Sequence, residues 1–191
     1  MLEAGWILSN LAYGSEEQLT KLVQYGGYGK PGFVEIMTNL LNSQDLILID
    51  QIMFLFGNIT GTSPDLRAST RNNFDLLSVI SGLMNLGSLP KIFIKNYIWV
   101  ATNISYDAKH LDQKDIRNLS KIFGNFLEVF KEQDDELALQ DLVKGLSKLS
   151  EISDNENIEI LNSKPGLIEM MCDLLSHKNI EISKSALRFI G

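Results

Sequence analysis

An aromatic residue followed four positions later by asparagine recurs at a nearly constant interval along this chain of 191 residues. The motif occurs as Trp6-Ile-Leu-Ser-Asn10, Phe54-Leu-Phe-Gly-Asn58 and Trp99-Val-Ala-Thr-Asn103, so the asparagines are 48 and 45 residues apart. A further 45 residues on, Lys144-Gly-Leu-Ser-Lys148 has the same spacing. An internal repeat of about 20 to 50 residues is typical of a solenoid, in which each unit buries its apolar face against its neighbours. The repeat therefore predicts an elongated superhelix rather than a closed globule.

Apolar residues follow helical spacing almost everywhere, for example in the stripe of Phe33, Met37 and Leu41, and no convincing alternating strand is found. Breaks rich in Gly, Pro, Ser and Asp separate the helical segments into groups of three. Three-helix units with a period of about 45 are typical of armadillo repeats, so the predicted fold is an all-α solenoid of armadillo repeats. The predicted units are the last helix of a partial repeat at 1–14, three repeats at 15–61, 62–106 and 107–151, and an incomplete repeat at 152–191.

Composition and charge exclude several classes of protein. Apolar residues make up 45% of the chain and charged residues 21%, which predicts a folded protein rather than a disordered one. No uncharged apolar run is long enough to span a membrane, so we expect a soluble protein. The single cysteine, Cys172, predicts a reducing intracellular compartment. A formal net charge of −7 disfavours nucleic acids and anionic membranes and favours cationic partners.

The repeated motif predicts a binding surface. An aromatic residue and an asparagine four positions apart lie one turn apart on the same face of a helix, and stacked units turn such pairs into a ladder. An asparagine amide can donate to a carbonyl and accept from an amide of an extended peptide, whatever its sequence. Neighbouring rings can hold a lysine or arginine stem between them. A single pair is better explained by core packing or helix capping, but three pairs in phase with the repeat favour the ligand ladder.

Three segments of the sequence resemble a known family. They are Glu3-Ala-Gly-Trp-Ile-Leu-Ser-Asn-Leu-Ala-Tyr-Gly-Ser-Glu-Glu-Gln18, Phe56-Gly-Asn-Ile-Thr-Gly61 and Ala186-Leu-Arg-Phe-Ile-Gly191. These segments resemble the armadillo core of importin alpha, the adaptor that binds nuclear localisation signals. The resemblance covers essentially the whole chain, from the last helix of that family's second repeat to the last helix of its sixth. It implies a right-handed superhelix.

The resemblance also implies a set of peptide-binding residues. Gly14 matches the position whose carbonyl meets the most deeply held lysine, and Asp141 matches an acid of the groove. Arg188 matches the arginine that replaces tryptophan in the sixth repeat. The complete predicted peptide-binding set is Trp6, Asn10, Gly14, Phe54, Asn58, Asn96, Trp99, Asn103, Asp141 and Arg188.

The sequence departs from the family's pattern at several of the matching positions. Phe54 stands in place of a tryptophan, which keeps an aromatic wall. Thr62 stands where the family has the acid that pairs with the deeply held lysine, and Leu19 stands where it has a threonine. Lys144 and Lys148 replace a tryptophan and a tyrosine, so this end of the groove is expected to repel basic peptides. We expect signal recognition to be weakened or altered.

Other chemistry is not supported by the sequence. The two histidines, His110 and His177, are distant from each other and from Cys172, so neither a metal site nor a Cys-His nucleophile is predicted. Cys172 lies in an apolar stripe beside Met171, which predicts a core thiol. No pair of acids recurs at a fixed position, which argues against a hydrolase. We predict no enzyme activity and no cofactor.

Two functions remain open. The first is a nuclear import adaptor that binds Lys/Arg-rich nuclear localisation signal peptides of cargo proteins and is found in cytoplasm and nucleus. Importin beta is a partner of the full-length family, but its binding arm lies outside these residues. The alternative is a general armadillo scaffold for protein–protein interaction without import-cargo recognition, which Thr62, Lys144 and Lys148 favour.

Overall fold

The computed structural model describes residues 7, 10, 13–26, 32–84, 91–130, 135–152 and 155–191. Trp6 lies outside the described residues. Within them the chain is helical and contains no strand. The α-helices are α1 (Glu16–Val23), α2 (Phe33–Leu41), α3 (Leu46–Thr62), α4 (Pro64–Asn73), α5 (Leu76–Met84), α6 (Lys91–Ser105), α7 (Gln113–Phe130), α8 (Glu136–Ser150), α9 (Asn155–Asn162), α10 (Leu167–Leu174) and α11 (Ile180–Ile190), and a short 3-10 helix spans Ala108–His110.

Short polar side chains fix the starts of the helices. The Asp45 carboxylate accepts hydrogen bonds from two backbone amides of the first turn of α3, and Asp135 caps α8 in the same way through the amide of Ala138. Asn179 caps α11 through the amide of Glu181. A side-chain oxygen at this position satisfies backbone amides that have no partner inside the helix. These caps set where α3, α8 and α11 begin, and therefore which of their residues face the neighbouring repeat.

The helices α3, α6, α8 and α11 form one continuous row, in which each packs against the next. They begin at residues 46, 91, 136 and 180, which are 45, 45 and 44 positions apart. Two shorter helices precede α3, α6 and α11, whereas a 3-10 turn and the single long helix α7 precede α8. The all-α solenoid predicted from the repeat is confirmed. We propose that the repeats have the boundaries predicted from the sequence, namely 1–14 for the partial first repeat, then 15–61, 62–106 and 107–151, and 152–191 for the incomplete last one.

The hydrophobic core runs without interruption along the described chain, from Leu19 to Phe189. One aromatic cluster joins Phe33 of α2, Phe56 of α3 and Phe74 at the end of α4, with ring centroids 4.7 to 6.4 Å apart. Cys172 does not join this core, because the neighbouring Met171 faces inward and leaves the thiol exposed. The prediction of a core thiol at Cys172 is therefore wrong.

Polar contacts link each repeat to the adjacent one. Among the described residues, side-chain hydrogen bonds that join distant parts of the chain connect positions 38 to 46 residues apart. Such a narrow range is expected when each repeat contacts only its nearest neighbours. In the part of the chain that the structure describes, no helix combines the length and apolar character needed to cross a membrane.

Candidate functional site

The predicted ladder lies on the row of long helices. Phe54, Lys144 and Arg188 each stand nine residues after the cap of their helix, and Trp99 occupies the equivalent position of α6. Asn58, Asn103 and Lys148 follow one turn later. We call these seven residues, Phe54, Asn58, Trp99, Asn103, Lys144, Lys148 and Arg188, the asparagine face. The repeated positions from Phe54 onward therefore stand at equivalent places on consecutive long helices.

Three aromatic rings contact one another in sequence along this face. The ring centroids of Phe54 and Trp99 are 5.7 Å apart, and those of Tyr13 and Phe54 are 6.1 Å apart. Aromatic pairs in direct contact have centroid separations of about 4.5 to 7 Å. An alkyl stem held between two rings needs a van der Waals layer of about 3.5 to 4 Å on each side. The slot expected between Phe54 and Trp99 is therefore closed, and the rings form a continuous aromatic surface.

Gly57 allows Trp99 to lie against the backbone of α3. A Cβ atom at Gly57 would stand 2.4 Å from Cε3 of the Trp99 indole, far inside van der Waals contact. The glycine between Phe54 and Asn58 in the motif thus makes room for the tryptophan of the next repeat. This contact explains why the two repeats approach so closely at this point, and it makes Trp99 partly a packing residue.

The three asparagines of the motif differ in their environment. Asn10 is exposed, and Asn58 is half-buried and donates to the carbonyl of Phe54 in its own helix over 3.2 Å. Asn103 is only 7% exposed, and its amide donates to the carbonyl of Gly57 over 2.9 Å. The expectation that Asn103 stands open to a ligand is corrected, because the close approach of α6 to α3 buries it. Asn10 and Asn58 remain accessible.

Asn96 is also engaged within the protein. Its amide donates to the carboxylate of Asp50 over 2.8 Å. Burial raises the pKa of Asp50, and the hydrogen bond from Asn96 partly opposes that shift. The nearby Tyr97 is fully buried, with no hydrogen-bond partner for its hydroxyl among the described residues. Burial and then the charge of Asp50 raise the pKa of Tyr97. Asn96 therefore supplies a hydrogen bond to the buried carboxylate of Asp50, and the amide N–H that makes this bond is not available to a peptide.

A cavity of about 510 Å³ lies at the amino-terminal end of the described chain, where Asn10 and Gly14 line it together with Tyr13 and Tyr25. Thr62 is not among the residues that line this cavity; it is exposed, and its hydroxyl donates to the carbonyl of Asn58 over 2.8 Å. Leu19 is fully buried and cannot line it. Gly14 lies at this cavity, and its role as the carbonyl that meets a lysine stays a prediction.

The carboxy-terminal half of the face is built differently. The ammonium nitrogens of Lys144 and Lys148 lie 5.4 Å and 5.8 Å from the ring centroid of Tyr106. Asp141 is half-buried, and burial raises its pKa while the charge of Lys144 opposes the shift. The backbone carbonyl of Asp141 accepts a hydrogen bond from the hydroxyl of Thr102 over 3.0 Å. Arg188 is exposed. This half presents cations where the first half presents rings.

Two site residues were missed by the sequence reasoning. Tyr13 and Tyr106 each stand three residues after a motif asparagine. Tyr13 is 70% exposed and extends the aromatic surface, and Tyr106 is 38% exposed and contacts the two lysines. The shared offset from Asn10 and Asn103 is the sequence signal that identifies them. No group of three or more possible metal ligands occurs among the described residues.

Comparison with known proteins supports both the fold and the resemblance. No family model matches the chain. It is 24% identical over 189 residues to importin subunit alpha-1b of Oryza sativa subsp. japonica, covering 99% of this chain and 33% of that protein. It is 26% identical over 177 residues to importin subunit alpha-2 of Arabidopsis thaliana, covering 93% of this chain and 30% of that protein. The chain thus spans about a third of the length of these relatives.

Two solved structures with the same fold are of designed proteins. A designed armadillo-repeat protein in complex with the peptide (KR)4 matches with a TM-score of 0.72 and 21% identity, over 99% of this chain and 73% of that one. Computationally designed armadillo-repeat proteins for modular peptide recognition match with a TM-score of 0.76 and 20% identity, over 98% and 73%. The chain is an armadillo-repeat solenoid whose sequence resembles importin alpha subunits along almost its entire length.

Proposed function

We propose that the asparagine face binds an extended peptide that carries lysine or arginine residues. The observation that carries this proposal is the alignment of Phe54 and Trp99 on consecutive repeats, with both rings partly exposed and in contact. Asn58 stands one turn after Phe54, at the edge of the same surface. A designed armadillo neighbour is solved with a peptide of alternating lysine and arginine, which supports a cationic peptide as the ligand.

The closed ring pair determines how such a peptide is held. Because Phe54 and Trp99 contact each other, cationic stems lie across the exposed ring faces rather than between them. Each exposed cation–π contact contributes about 0.5 to 1 kcal/mol. The Asn58 amide retains hydrogen-bonding capacity beyond its bond to Phe54 and serves the peptide backbone, with about 0.5 to 1.5 kcal/mol for each bond. The affinity for the peptide therefore depends on contacts from several repeats acting together.

Within this class of function, the resemblance to importin alpha favours a nuclear import adaptor. The ligands are then nuclear localisation signals of cargo proteins, and the protein is found in cytoplasm and nucleus. The role is that of a non-enzymatic receptor. The chain matches about a third of each relative's length, so the proposal concerns peptide binding by these repeats and the import step that such binding serves.

A general armadillo scaffold is the second candidate. Thr62 in place of an acid removes the carboxylate that pairs with a lysine in the family's pocket, and Lys144 and Lys148 replace two aromatic positions. The closed slot between Phe54 and Trp99 further weakens discrimination of lysine stems. These departures favour a partner that is not a plain import signal. Affinity for basic peptides separates the two candidates.

The test is a fluorescence anisotropy titration of a labelled (KR)4 peptide against the wild type and two matched variants. In Asn58→Ala the lost amide lies on the asparagine face. In Asn73→Ala the lost amide makes the same kind of bond to the carbonyl four residues earlier, that of Ser69 over 2.7 Å, but lies on the exposed part of α4. We expect Asn58→Ala to weaken binding about three- to tenfold and Asn73→Ala to leave the Kd unchanged.

Two results would overturn the proposal. One is the absence of saturable binding of (KR)4 to the wild type, and the other is an equal Kd for the wild type and Asn58→Ala. An acidic peptide of the same length serves as the charge control, and it should bind more weakly than (KR)4. A preference for the acidic peptide would assign the protein to the general scaffold class.

A further inference from the structure

The asparagine face changes character between α6 and α8. The ring position carries Phe54 and Trp99 in the first two helices, and Lys144 and Arg188 in the last two. The position one turn later carries Asn58 and Asn103 in the first two helices and Lys148 in α8. The ammonium groups of Lys144 and Lys148 and the guanidinium of Arg67 all lie within 6 Å of the Tyr106 ring centroid, so three cations share one aromatic neighbour. The surface thus has an aromatic half and a cationic half.

The cations near Tyr106 differ in how far their charges are compensated. Arg67 is 11% exposed and fully engaged, because it donates to Asp107 over 3.0 Å and to the carbonyl of Thr60 over 2.9 Å. Lys148 pairs with Glu151 over 2.6 Å. For Lys144, no carboxylate of the described residues lies within 4.0 Å of the ammonium group. Lys144 therefore has no direct ion pair at the ring position, and its charge acts only at longer range on Asp141 and Glu181.

Arg188 offers a second such charge one repeat further on. It is exposed, and within the described chain its guanidinium also has no carboxylate within 4.0 Å. The nearby Glu181 pairs directly with Lys184 over 3.0 Å, and that lysine lowers the pKa of Glu181 more than the charges of Arg188 and Lys144 do. Lys144 and Arg188 occupy equivalent positions on α8 and α11, which pack directly against each other. Two consecutive repeats therefore present cations that make no direct ion pair within the described chain.

We propose that the peptide partner is of mixed charge, with its basic residues over α3 and α6 and with aspartate or glutamate residues over α8 and α11, paired with Lys144 and Arg188. This inference rests on the proposed function and names its ligand more closely. A peptide that is basic throughout meets like charge on the second half of the face. A peptide with acidic residues there gains two ion pairs on groups that have none, which is the complementarity that sets specificity at interfaces.

The distance between consecutive repeats fixes where the acidic residues belong in the peptide. Packed helices are about 8 to 10 Å apart, and an extended chain advances about 3.3 to 3.6 Å per residue. Each repeat therefore corresponds to two or three peptide residues. The first carboxylate should stand two or three residues beyond the basic residue at Trp99, and the second two or three residues beyond the first.

The experiment compares labelled peptides that share one basic block of four residues. The block is extended by six residues of Asp and Glu at its carboxy end, by the same acidic block at its amino end, or by a Ser/Gly block of equal length at either end. We expect one of the acidic extensions to bind about five times more tightly than its Ser/Gly counterpart, the scale of two exposed ion pairs. The gain should shrink as the salt concentration rises.

Charge variants locate the effect on the protein. Lys144→Gln combined with Arg188→Gln should abolish the gain from the acidic extension, so that the acidic and Ser/Gly peptides bind this variant with equal affinity. The control combines Lys109→Gln with Lys121→Gln, two exposed lysines on other elements of the chain, and should keep the gain. Circular dichroism melting of each variant checks that the fold is retained.

The outcomes separate this inference from the proposed function. If the Ser/Gly peptides bind and neither acidic extension improves affinity, the mixed-charge ligand is refuted and peptide binding stands. A gain that survives loss of Lys144 and Arg188 also refutes it. If no peptide of the set binds, the proposed function and the mixed-charge ligand fail together.

Discussion

The side-chain amide of Asn103 donates a hydrogen bond to the backbone carbonyl of Gly57, 2.9 Å away, and joins α6 to α3 across a repeat boundary. Trp99, one turn earlier on α6, lies against the same glycine. The second and third copies of the motif are therefore locked to each other through Gly57. The recurring asparagine therefore has two roles: Asn103 holds two repeats together, and Asn58 remains available for binding.

Replacing Asn103 should destabilise the protein. Asn103→Ala leaves the Gly57 carbonyl buried without its donor, and we expect the free energy of unfolding to fall by about 1 to 3 kcal/mol. Asn58→Ala removes only a bond within one helix and should change it by less than about 0.5 kcal/mol. Urea denaturation followed by circular dichroism measures both. Equal losses for the two variants would contradict the distinction drawn between these asparagines.

Gly57 should tolerate no larger side chain. Gly57→Ala places a Cβ atom inside van der Waals contact with the Trp99 ring, and we expect a loss of about 1 to 3 kcal/mol in the free energy of unfolding. Trp99 fluorescence, recorded in a Trp6→Phe background, should shift as the indole is displaced. The matched change Gly82→Ala meets nothing within 4 Å and should instead stabilise α5 by about 0.5 to 1 kcal/mol. A neutral Gly57→Ala would show that Trp99 is not seated on this glycine.

The repeat spacing allowed the fold and the alignment of the motif positions to be predicted, because one period of about 45 residues places Phe54 beside Trp99. The separation of the two rings could not be predicted, since it depends on how closely α6 approaches Gly57. The burial of Asn103 follows from that same approach. The exposure of Cys172 shows a similar limit, because an apolar stripe does not fix which residues at its edge face inward.

The buried acid Asp50 should make stability depend on pH. Burial holds its folded-state pKa above the ordinary value, so between these two values the folded state binds more protons than the unfolded state. This group therefore lowers stability as pH rises from the acidic range toward neutrality. We expect Asp50→Asn to become more stable relative to the wild type as pH rises through that window, as measured by urea denaturation at successive pH values between about 3 and 7.

Asp75 provides the control of opposite sign. Burial acts to raise the pKa of its carboxyl, but the hydrogen bonds from Lys114 and Ser78 together hold it below the ordinary value. Its stabilising contribution is present above the unfolded-state pKa and is lost as pH falls through the folded-state pKa. Asp75→Asn should thus become less stable relative to the wild type as pH rises. If the two variants follow the same trend, the charge environments described for these acids are wrong.

The pair of Arg67 and Asp107 should be a measurable link between repeats. Both side chains are 11% exposed, and the guanidinium donates to Asp107 over 3.0 Å and to Thr60 over 2.9 Å. A double-mutant cycle with Arg67→Ala and Asp107→Ala should give a coupling free energy of about 0.5 to 3 kcal/mol. The exposed pair of Lys114 and Asp75 should couple by less than about 1 kcal/mol. Similar coupling free energies for the two pairs would contradict the expectation that burial strengthens the Arg67–Asp107 pair.

The central claim is that a cationic peptide lies along the asparagine face and is held there by Asn58. Nuclear magnetic resonance of the side-chain amides measures this most directly, because each asparagine reports its own surface. During titration with (KR)4, the amide resonances of Asn58 and Asn10 should shift progressively to saturation, and those of Asn73 on α4 should stay in place. Unchanged Asn58 resonances at a peptide concentration that saturates binding would contradict the account.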